Sequence, residues 1–428
     1  MRKQIKFILL ILVVALVFSG CVSAVDQMYC IPKRLYPGEQ LQTVIDKAMA
    51  DLNYCAPLSG NNMQAVQQAD LDGDGEDEFL LFASGTSNSP LRLLILKENA
   101  GAVTHVETIT CVGSAFDFVI YAEMDENPGC EIIFGSQISD QLQGMVHVYS
   151  FDEALVCNLL LSTSYTECLT ADLDRDDKEE LLLLKSDVNN GVIQSYKQQD
   201  GQLVCASEAE ISESVNKIER ILTGNVYKGI PALFVTTAAD EATAITDIYV
   251  DRKGRLTNVA ISGDDSVGIK TLRNGFTYVM DIDNDGVMEL PYTMPMMPMG
   301  DHVTDDKRCL IRWYALTDAG ESMNKAFTFH NYVDNWYLEL NDEWASRLTV
   351  VSQNTEHVFY IWDDSFEQAT KIMTMFSRYN KGEQLNSGAD QYKVFANDLI
   401  TYTAKFEDEA AVFGMTPEYV ADSFHIIN

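Results

Sequence analysis

The stretch ADLDGDGEDEFLLF, residues 69–82, places acidic residues at every second position and then runs into four apolar residues. Carboxylates this close together repel one another unless a cation lies among them. The apolar run that follows is typical of a strand in a protein core. The stretch therefore predicts a cation-binding loop that leads directly into a buried strand.

The acidic pattern recurs along the chain. EMDENPGCE at 123–131 is followed by IIFG, DLDRDDKEE at 172–180 by LLLL, and DIDNDGVME at 281–289 by LPYT. A worn copy that has lost the acids, GNVYKGIPALFV, begins at Gly224. The starts at 70, 123, 172, 224 and 281 are 53, 49, 52 and 57 residues apart, which predicts one structural unit per repeat.

Each repeat has the pattern of four short strands separated by turn signals. In the first repeat the strands are MQAVQQA, EFLLFAS, LRLLILK and VTHVETITC, and the acidic loop joins the first two. Sequential four-stranded units of this length are the signature of a β-propeller, in which neighbouring blades stack on one another. We therefore expect a mainly β protein with about five four-stranded blades.

The spacing of the acids suits a hard cation. The pattern D-x-D-x-D-G-x-x-[DE] places carboxylates at the first, third, fifth and ninth positions, with a backbone carbonyl at the seventh. Ca²⁺ takes about six to eight oxygen ligands, and glycine at the sixth position allows the tight turn. The predicted calcium ligands are Asp70, Asp72, Asp74, Glu78, Asp172, Asp174, Asp176, Glu180, Asp281, Asp283, Asp285 and Glu289.

The copies differ in how well they fit this pattern. Asp177 replaces the glycine in the third loop and tolerates a left-handed turn. Pro128 stands there in the second loop, and its fixed negative φ opposes that turn, so no site is assigned to it. The hairpin at Gly224 is expected to bind no cation. The alternative interpretation is that the acids only solvate surface turns.

The repeats resemble the FG-GAP/VCBS repeats of integrin-α-like propellers, in which such a loop joins the first two strands of a blade. The resemblance covers residues 62–330. More loosely, the whole chain looks like the VCBS-repeat lipoproteins of Firmicutes. The resemblance implies a calcium-stabilised β-propeller on the cell surface.

The N-terminus has the features of an export signal. Arg2, Lys3 and Lys6 precede an apolar run from Phe7 to Phe18, which is short for a membrane span. The following FSGC, ending at Cys21, resembles the lipobox of bacterial lipoproteins. This implies cleavage after residue 20, lipidation of Cys21 and anchoring on the extracytoplasmic face of a bacterial membrane. A plain secretory signal or an uncleaved anchor is the alternative.

The net charge and the cysteine pattern limit the classes of partner and metal that the sequence supports. The 30 basic and 64 acidic residues give a formal net charge of −34, which disfavours nucleic acid and anionic lipid headgroups. No C-x-x-C pair occurs, which argues against zinc. Disulfides and buried thiols both remain open for Cys30, Cys55, Cys111, Cys130, Cys157, Cys168, Cys205 and Cys309.

The remaining segments give the domain organisation. Residues 1–21 form the predicted lipoprotein signal, and 22–61 form a tether with one amphipathic helix carrying Leu41 and Ile45. Residues 62–330 form the propeller, and 331–428 a small α+β domain that closes with a helix at Pro417, capped by Thr416. The alternative for 331–428 is one or two degenerate blades.

No motif of a known catalytic class appears in the sequence. The stretch PYTMPMMPMGDH at 291–302 offers soft ligands for Cu(I), or methionines that pack on the propeller. The soft ligands are Met294, Met296, Met297, Met299 and His302. A sugar platform or the core of the C-terminal region could explain Trp313, Trp336, Trp344 and Trp362.

The sequence therefore favours a binding module for an extracellular protein or glycan over an enzyme. The alternatives are an extracellular enzyme that acts on glycans or peptides, since a carboxylate pair could serve glycoside chemistry, and the solute-binding component of a transporter.

Overall fold

The computed structural model of the chain describes residues 39–85, 90–99, 102–138, 144–186, 191–199, 201–212, 218–241, 243–261, 271–274, 277–296, 308–363, 365–379 and 390–427. The predicted signal peptide, Cys21 and the tether up to residue 38 lie outside these ranges, as do Cys30, Met297, Met299 and His302. Across the described ranges, no helix combines the length and apolarity needed to cross a membrane.

The fold is mainly β, as predicted, and the described strands form six antiparallel sheets of four or five strands. Sheet 1 contains β1 (Leu52–Tyr54), β2 (Val66–Ala69), β3 (Glu78–Gly85), β4 (Leu91–Asn99) and β5 (Ala102–Cys111). Sheet 2 contains β6 (Ala115–Ala122), β7 (Glu131–Gln137), β8 (Gly144–Phe151) and β9 (Cys157–Tyr165). Sheet 3 contains β10 (Glu167–Ala171), β11 (Glu180–Ser186), β12 (Gly191–Gln199) and β13 (Gln202–Ile211).

The other three sheets follow in the chain. Sheet 4 contains β14 (Ile218–Val226), β15 (Ile230–Ala238), β16 (Thr243–Asp251), β17 (Leu256–Asn258) and β18 (Arg273–Asn274). Sheet 5 contains β19 (Leu290–Met294), β20 (Arg308–Leu316), β21 (Ser322–Asn331), β22 (Trp336–Leu340) and β28 (Phe424–Ile426). Sheet 6 contains β23 (Leu348–Gln353), β24 (Glu356–Asp363), β25 (Ser365–Tyr379), β26 (Tyr392–Ala396) and β27 (Ile400–Phe406).

The worn repeat forms a sheet of its own. β14 to β17 pair in chain order, and β18 adds to β16. A short turn at residues 227–229, with positive φ at Lys228 and Gly229, stands where the other repeats have an acidic loop. The strand pattern of a repeat therefore persists without its acids.

The apolar second strand is buried on both faces in the first four repeats, whereas Tyr292 on β19 of the fifth repeat is exposed. Along β11, Leu181 and Leu183 pack in the cluster between sheets 2 and 3, whereas Leu182 and Leu184 pack in the cluster between sheets 3 and 4. This follows from the alternation of side chains along a strand. It explains why the sequence is a continuous apolar run rather than an alternating one.

Neighbouring sheets pack face to face in chain order. Between sheets 1 and 2, the Phe116 ring lies edge-on to the rings of Phe82 and Phe134, with centroids 5.0 and 5.6 Å apart. Further hydrophobic clusters join sheets 2 and 3, 3 and 4, 4 and 5, and 5 and 6. Among the described residues, no hydrophobic cluster joins sheet 6 back to sheet 1.

The predicted amphipathic helix covers the free face of sheet 1. Helix α1 (Glu39–Ala48) buries Leu41 and Ile45 against Phe79 and Leu81 of β3. The alternate residues of β3, including Phe82, face sheet 2 instead. Sheet 1 is therefore enclosed by the helix on one side and by its neighbour on the other.

The C-terminal region is divided between two sheets. β21 ends at Asn331, so the expected boundary falls at the end of a strand, and β22 and β28 complete sheet 5. The remainder is sheet 6 with helix α2 (Asp342–Ala345), a 3-10 helix (Asp408–Phe413) and helix α3 (Pro417–Asp422). This arrangement lies closer to the alternative of a further blade-like sheet than to a separate α+β domain.

Candidate metal-binding loops

Each acidic loop is closed by its ninth residue, a buried glutamate. The glutamate pairs across the sheet with the residue just before the loop, as in Ala69 with Glu78. Its carboxylate also accepts a hydrogen bond from the backbone N–H of the second loop residue. This bond occurs in four loops: Leu71 to Glu78 at 3.0 Å, Met124 to Glu131 at 2.9 Å, Leu173 to Glu180 at 2.8 Å, and Ile282 to Glu289 at 3.0 Å.

The first aspartate of each predicted site organises the turn. In loop 70–78, Asp70 accepts hydrogen bonds from the N–H groups of Gly73 and Gly75, at 2.7 and 2.9 Å. In loop 281–289, Asp281 accepts from Asp285 and Gly286, at 3.0 and 2.9 Å. These bonds compete with the solvent for the carboxylate and fix its orientation toward the loop interior.

In each of the three loops with a predicted site, two positions have positive φ. The sixth position was expected from the sequence, and Gly75, Asp177 and Gly286 have φ of 88°, 65° and 84°. The fourth position was not expected, and Gly73, Arg175 and Asn284 have φ of 74°, 64° and 58°. Asparagine and glycine tolerate this region readily, whereas arginine has no such preference, so no residue pattern marks the fourth position.

The structure brings most of the predicted ligands together. In loop 172–180, one carboxylate oxygen from each of the four predicted acids lies within 4.8 Å of the others. In loop 70–78, Asp70, Asp72 and Glu78 converge in this way, and in loop 281–289 Asp281, Asp283 and Asp285 do so. Asp74 and Glu289 are not part of their groups.

Two buried carboxylate oxygens lack a hydrogen bond and face a lysine ammonium instead, with Lys97 3.4 Å from Glu78 Oε1 and Lys325 3.8 Å from Glu289 Oε1. The Oε1 atoms of Glu78 and Glu289 belong to fully buried residues and have no hydrogen-bond partner among the described residues. A buried carboxylate oxygen without a hydrogen bond is costly. The converging carboxylate oxygens fit a hard cation such as Ca²⁺.

Each of these three loops also receives a lysine, which sequence reasoning missed. The ammonium of Lys97 contacts Asp72, lies 2.7 Å from Asp74 Oδ2 and 3.4 Å from Glu78 Oε1. Lys197 contacts Asp174 and lies 3.0 Å from Glu180 Oε1. Lys325 contacts Asp285 and lies 3.5 Å from Asp283 Oδ2. The lysines lie 25 to 44 residues beyond the loop starts, so no local motif shows them.

The lysines stay charged in this setting. Burial alone lowers the pKa of Lys97, but the hydrogen bonds to Asp72 and Asp74 outweigh burial and raise that pKa above its usual range. The balance is the same for Lys197, where burial opposes the bonds to Asp174 and Glu180 and the pKa rises. Each cluster of converging acids therefore has one lysine ammonium against three or four carboxylates.

Among the described residues, loop 123–131 does not bring three or more acids together in this way. Asp125 is its one aspartate, and Gln198 donates a hydrogen bond to Asp125 at 2.6 Å in place of a lysine. Positive φ occurs at Gly129, one residue after Pro128. Burial raises the pKa of Glu131 to about 7, although the Met124 N–H partly offsets it. The loop therefore keeps its closing glutamate without the metal ligands.

Neighbouring loops are joined by backbone hydrogen bonds. The eighth-position N–H of one loop donates to the first-position carbonyl of the loop before it: Cys130 to Asp70 at 3.0 Å and Glu179 to Glu123 at 2.9 Å. Met288 donates to Asn225, the second residue of the worn hairpin, at 2.8 Å. The worn hairpin contacts loop 172–180 through a side chain, since the Arg175 guanidinium donates to the Gly229 carbonyl. The loops thus form a row along one rim of the sheets.

The close approach of the first two loops requires glycine. A Cβ atom at Gly73 would lie 2.2 Å from the Cβ of Pro128, and one at Gly129 would lie 2.4 Å from the carbonyl oxygen of Leu71. Pro128 therefore packs on the first loop, which explains a residue that the sequence marks only as an obstacle to metal binding.

The tryptophans, methionines and cysteines that the sequence analysis considered can also be located in the structure. The four tryptophans, Trp313, Trp336, Trp344 and Trp362, are buried in the core, as the structural alternative predicted. Met296 is buried between sheets 5 and 6, and Met294 packs against the same cluster. The seven described cysteines after Cys30 are free thiols.

A cleft of about 660 Å³ lies beside loop 281–289. Asp281, Tyr278, Tyr332 and Tyr337 contribute to its lining. His330 also lines it, is 2% exposed, and within the described ranges finds no hydrogen-bond partner for either ring nitrogen. Burial lowers the pKa of His330 to about 3, so the neutral ring offers one donor and one acceptor. Aromatic faces with a few polar atoms are common in ligand sites.

Comparison with known proteins does not assign a family. No family model and no curated protein matches the chain. The chain is similar to an exotype rhamnogalacturonan lyase, YesX, at 13% identity over 83% of this chain and 72% of that chain, with a TM-score of 0.34. The rhamnogalacturonan lyase YesW gives 11% identity over 75% of this chain and 64% of that chain, with a TM-score of 0.35.

A protein from Lactobacillus plantarum gives 10% identity over 74% of this chain and 86% of that chain, with a TM-score of 0.31. Likenesses with TM-scores this low assign neither a family nor an activity to the chain.

The closing glutamate of loop 123–131 makes stability depend on pH. The pKa of Glu131 is about 7 in the fold and 4.5 ordinarily, so the folded state binds more protons between these values and stability falls as pH rises through them. Glu131→Gln keeps the acceptor for Met124 without the buried charge. We expect it to raise the free energy of unfolding at pH 8 by on the order of 2 kcal/mol, with no gain near pH 4.

Urea unfolding at both pH values measures this difference. Glu153→Gln, which removes an acid from an exposed turn of the same sheet, should leave the pH dependence unchanged. A loss of stability for Glu131→Gln at pH 8 would mean that the ionised carboxylate is the favoured form in the loop.

Proposed function

We propose that the chain is an extracytoplasmic binding protein with a calcium-stabilised β-propeller of the FG-GAP/VCBS type, held to a bacterial membrane by a lipid on Cys21. The observation that carries the proposal is the convergence of all four predicted carboxylates in loop 172–180 within 4.8 Å. The same type of convergence in two further loops makes solvated turns a poor explanation, because solvated acids gain nothing from facing one another.

Calcium would stabilise the folded protein rather than take part in a catalysed reaction. The Asp172, Asp174, Asp176 and Glu180 carboxylates would hold the ion in the third loop, and it would supply the charge that keeps them together. The loops lie in a row joined by backbone hydrogen bonds, so ordering one loop supports its neighbours. The repeated packing of six sheets in chain order supports the propeller architecture.

Removal of metal should destabilise the protein. Extracellular calcium modules bind at about 0.1–1 mM, so about 5 mM Ca²⁺ would contribute about 1–2 kcal/mol per loop by mass action. We expect EDTA to lower the melting temperature of the full chain in detergent and Ca²⁺ to restore it. Mg²⁺ should restore it poorly, because it keeps its waters and demands a smaller, octahedral site.

Two variants localise the effect. Asp174→Ala should remove part of the calcium-dependent rise in melting temperature, whereas Asp125→Ala, at the same position of loop 123–131, should leave it intact. Identical melting curves in EDTA and in Ca²⁺ would contradict calcium binding and leave the acids as solvated turns.

The anchor is tested separately from the fold. The motif FSGC, which ends at Cys21, supports lipidation. Mass spectrometry of the mature protein from its native host should find diacylglycerol on Cys21 at the N-terminus. An unmodified N-terminus that begins at another residue would instead indicate a plain secretory signal.

The ligand of the binding module is an extracellular protein or glycan, and the cleft beside loop 281–289 favours a glycan. The half-buried ring of Tyr278 in its lining suits stacking on a sugar ring. Glycan and protein arrays should therefore show a glycan ligand. Tyr278→Ala should weaken binding about three- to tenfold.

Tyr292→Ala is the matched control, because Tyr292 is 46% exposed on β19 and is not among the residues that line the cleft. It should leave binding unchanged. If the arrays show a protein ligand and no glycan, the protein is an interaction module that binds through a surface other than this cleft. If the arrayed glycans are degraded, the enzyme alternative is favoured.

A further inference from the structure

The three acidic loops acquire their lysines by two different structural routes. Lys97 on β4 follows Leu96, the residue that pairs with Phe79 just after the loop. Lys197 on β12 follows Tyr196, which pairs with Leu181 in the same way. In sheet 5 that position is Ala315, since Leu290 pairs with Tyr314. The lysine of this sheet comes from the next strand.

Lys325 reaches its loop through an irregularity in β21. Trp313 pairs with Ala326 and Tyr314 with Asn324, so Lys325 is the extra residue of a β-bulge. Bulges re-aim a side chain relative to its neighbours. Two unrelated placements thus bring an ammonium group to the same location among the acids, which indicates that the cation itself is required there.

The loops without a full set of acids serve as an internal comparison. In sheet 2 the position that corresponds to Lys97 is Ser150, because Ile132 pairs with Tyr149. Its loop has one aspartate, Asp125, which accepts a hydrogen bond from the neutral amide of Gln198. A lysine therefore accompanies the acidic clusters and is replaced by a neutral donor where the acids are lost.

The ammonium group and a divalent ion would compete for the same oxygens. The side chains of Lys97, Lys197 and Lys325 are 12%, 24% and 16% exposed, so each is held largely inside its loop region. Ca²⁺ requires oxygens at about 2.3–2.6 Å, and Lys197 already lies 3.0 Å from Glu180 Oε1. Two cations cannot share such a small centre without strong repulsion.

We propose that each lysine is the resident counter-ion of its loop, that it holds the acids together when metal is absent, and that Ca²⁺ must displace it in order to bind. This inference rests on the proposed calcium function. The lysine then sets two properties at once: it weakens the affinity of the loop for calcium, and it lets the sheets fold without calcium. The calcium affinity then depends on the free energy of exchanging a singly charged ammonium group for a doubly charged Ca²⁺ ion.

The test uses the full chain in detergent and the loop with the complete acid set. Lys197→Met removes the charge but keeps an unbranched side chain of similar length. Lys185→Met is the matched control, because Lys185 lies in the same sheet and contacts Thr163 and Tyr196 rather than a loop carboxylate. Isothermal titration with Ca²⁺ gives affinity and stoichiometry, and thermal melting in EDTA gives the stability of the metal-free form.

We expect Lys197→Met to create one calcium site per chain that is at least about tenfold tighter than any in the unaltered protein, since a repelling charge is gone. In EDTA it should melt at a lower temperature than Lys185→Met. Lys197→Arg, which keeps the charge, should bind calcium as weakly as the unaltered protein.

The outcomes separate the two proposals. Calcium binding by Lys197→Met alone, with none by the unaltered chain, would support displacement in its strongest form. Equal or weaker calcium affinity of Lys197→Met, while the unaltered chain binds calcium, would overturn the role of the lysine and leave the calcium function standing. No calcium binding by any variant would overturn both.

Discussion

The fold of the four acidic loops depends on one hydrogen bond between a buried carboxylate and a backbone amide. In four loops the ninth-position glutamate accepts the N–H of the second residue, over distances of 2.8 to 3.0 Å. The bond closes the loop at the first residue of a strand that is buried on both faces. A loop that closed elsewhere would shift the register of that strand, and a shift by one residue would exchange its two faces.

The same carboxylate carries an electrostatic cost, and the loops offset it in different ways. Burial raises the pKa of Glu131, Glu180 and Glu289 to about 7 in each case. In loops 172–180 and 281–289 a lysine lies near the glutamate. Loop 123–131 has as many acids as loop 281–289, but Asn127 replaces the aspartate at the fifth position. A neutral side chain at the fifth position and an added positive charge are two solutions of the same physical problem.

The sequence predicts the strands and acidic loops well because both are local. The period of the repeats and the apolar runs such as Leu181–Leu184 indicate the second strands, and the spacing of Asp172, Asp174 and Glu180 indicates convergence. It cannot show Lys325, which depends on a bulge in β21 and lies 44 residues from Asp281. It also cannot show that β28 returns to sheet 5 from the end of the chain, because that pairing joins residues far apart in the sequence.

The row of loops shows why a repeat can lose its acids and keep its place. The bonds of Cys130 to Asp70 and of Glu179 to Glu123 run from an eighth-position N–H to a first-position carbonyl, and neither group belongs to a side chain. The contact therefore survives any substitution that preserves the backbone, as Met288 to Asn225 shows on the worn hairpin. Acids are then free to vary from loop to loop, under the separate constraint that each cluster has a counter-ion. Architecture and acidic clusters are in this sense independent in the repeat: backbone hydrogen bonds hold neighbouring loops together, while the clusters differ from loop to loop.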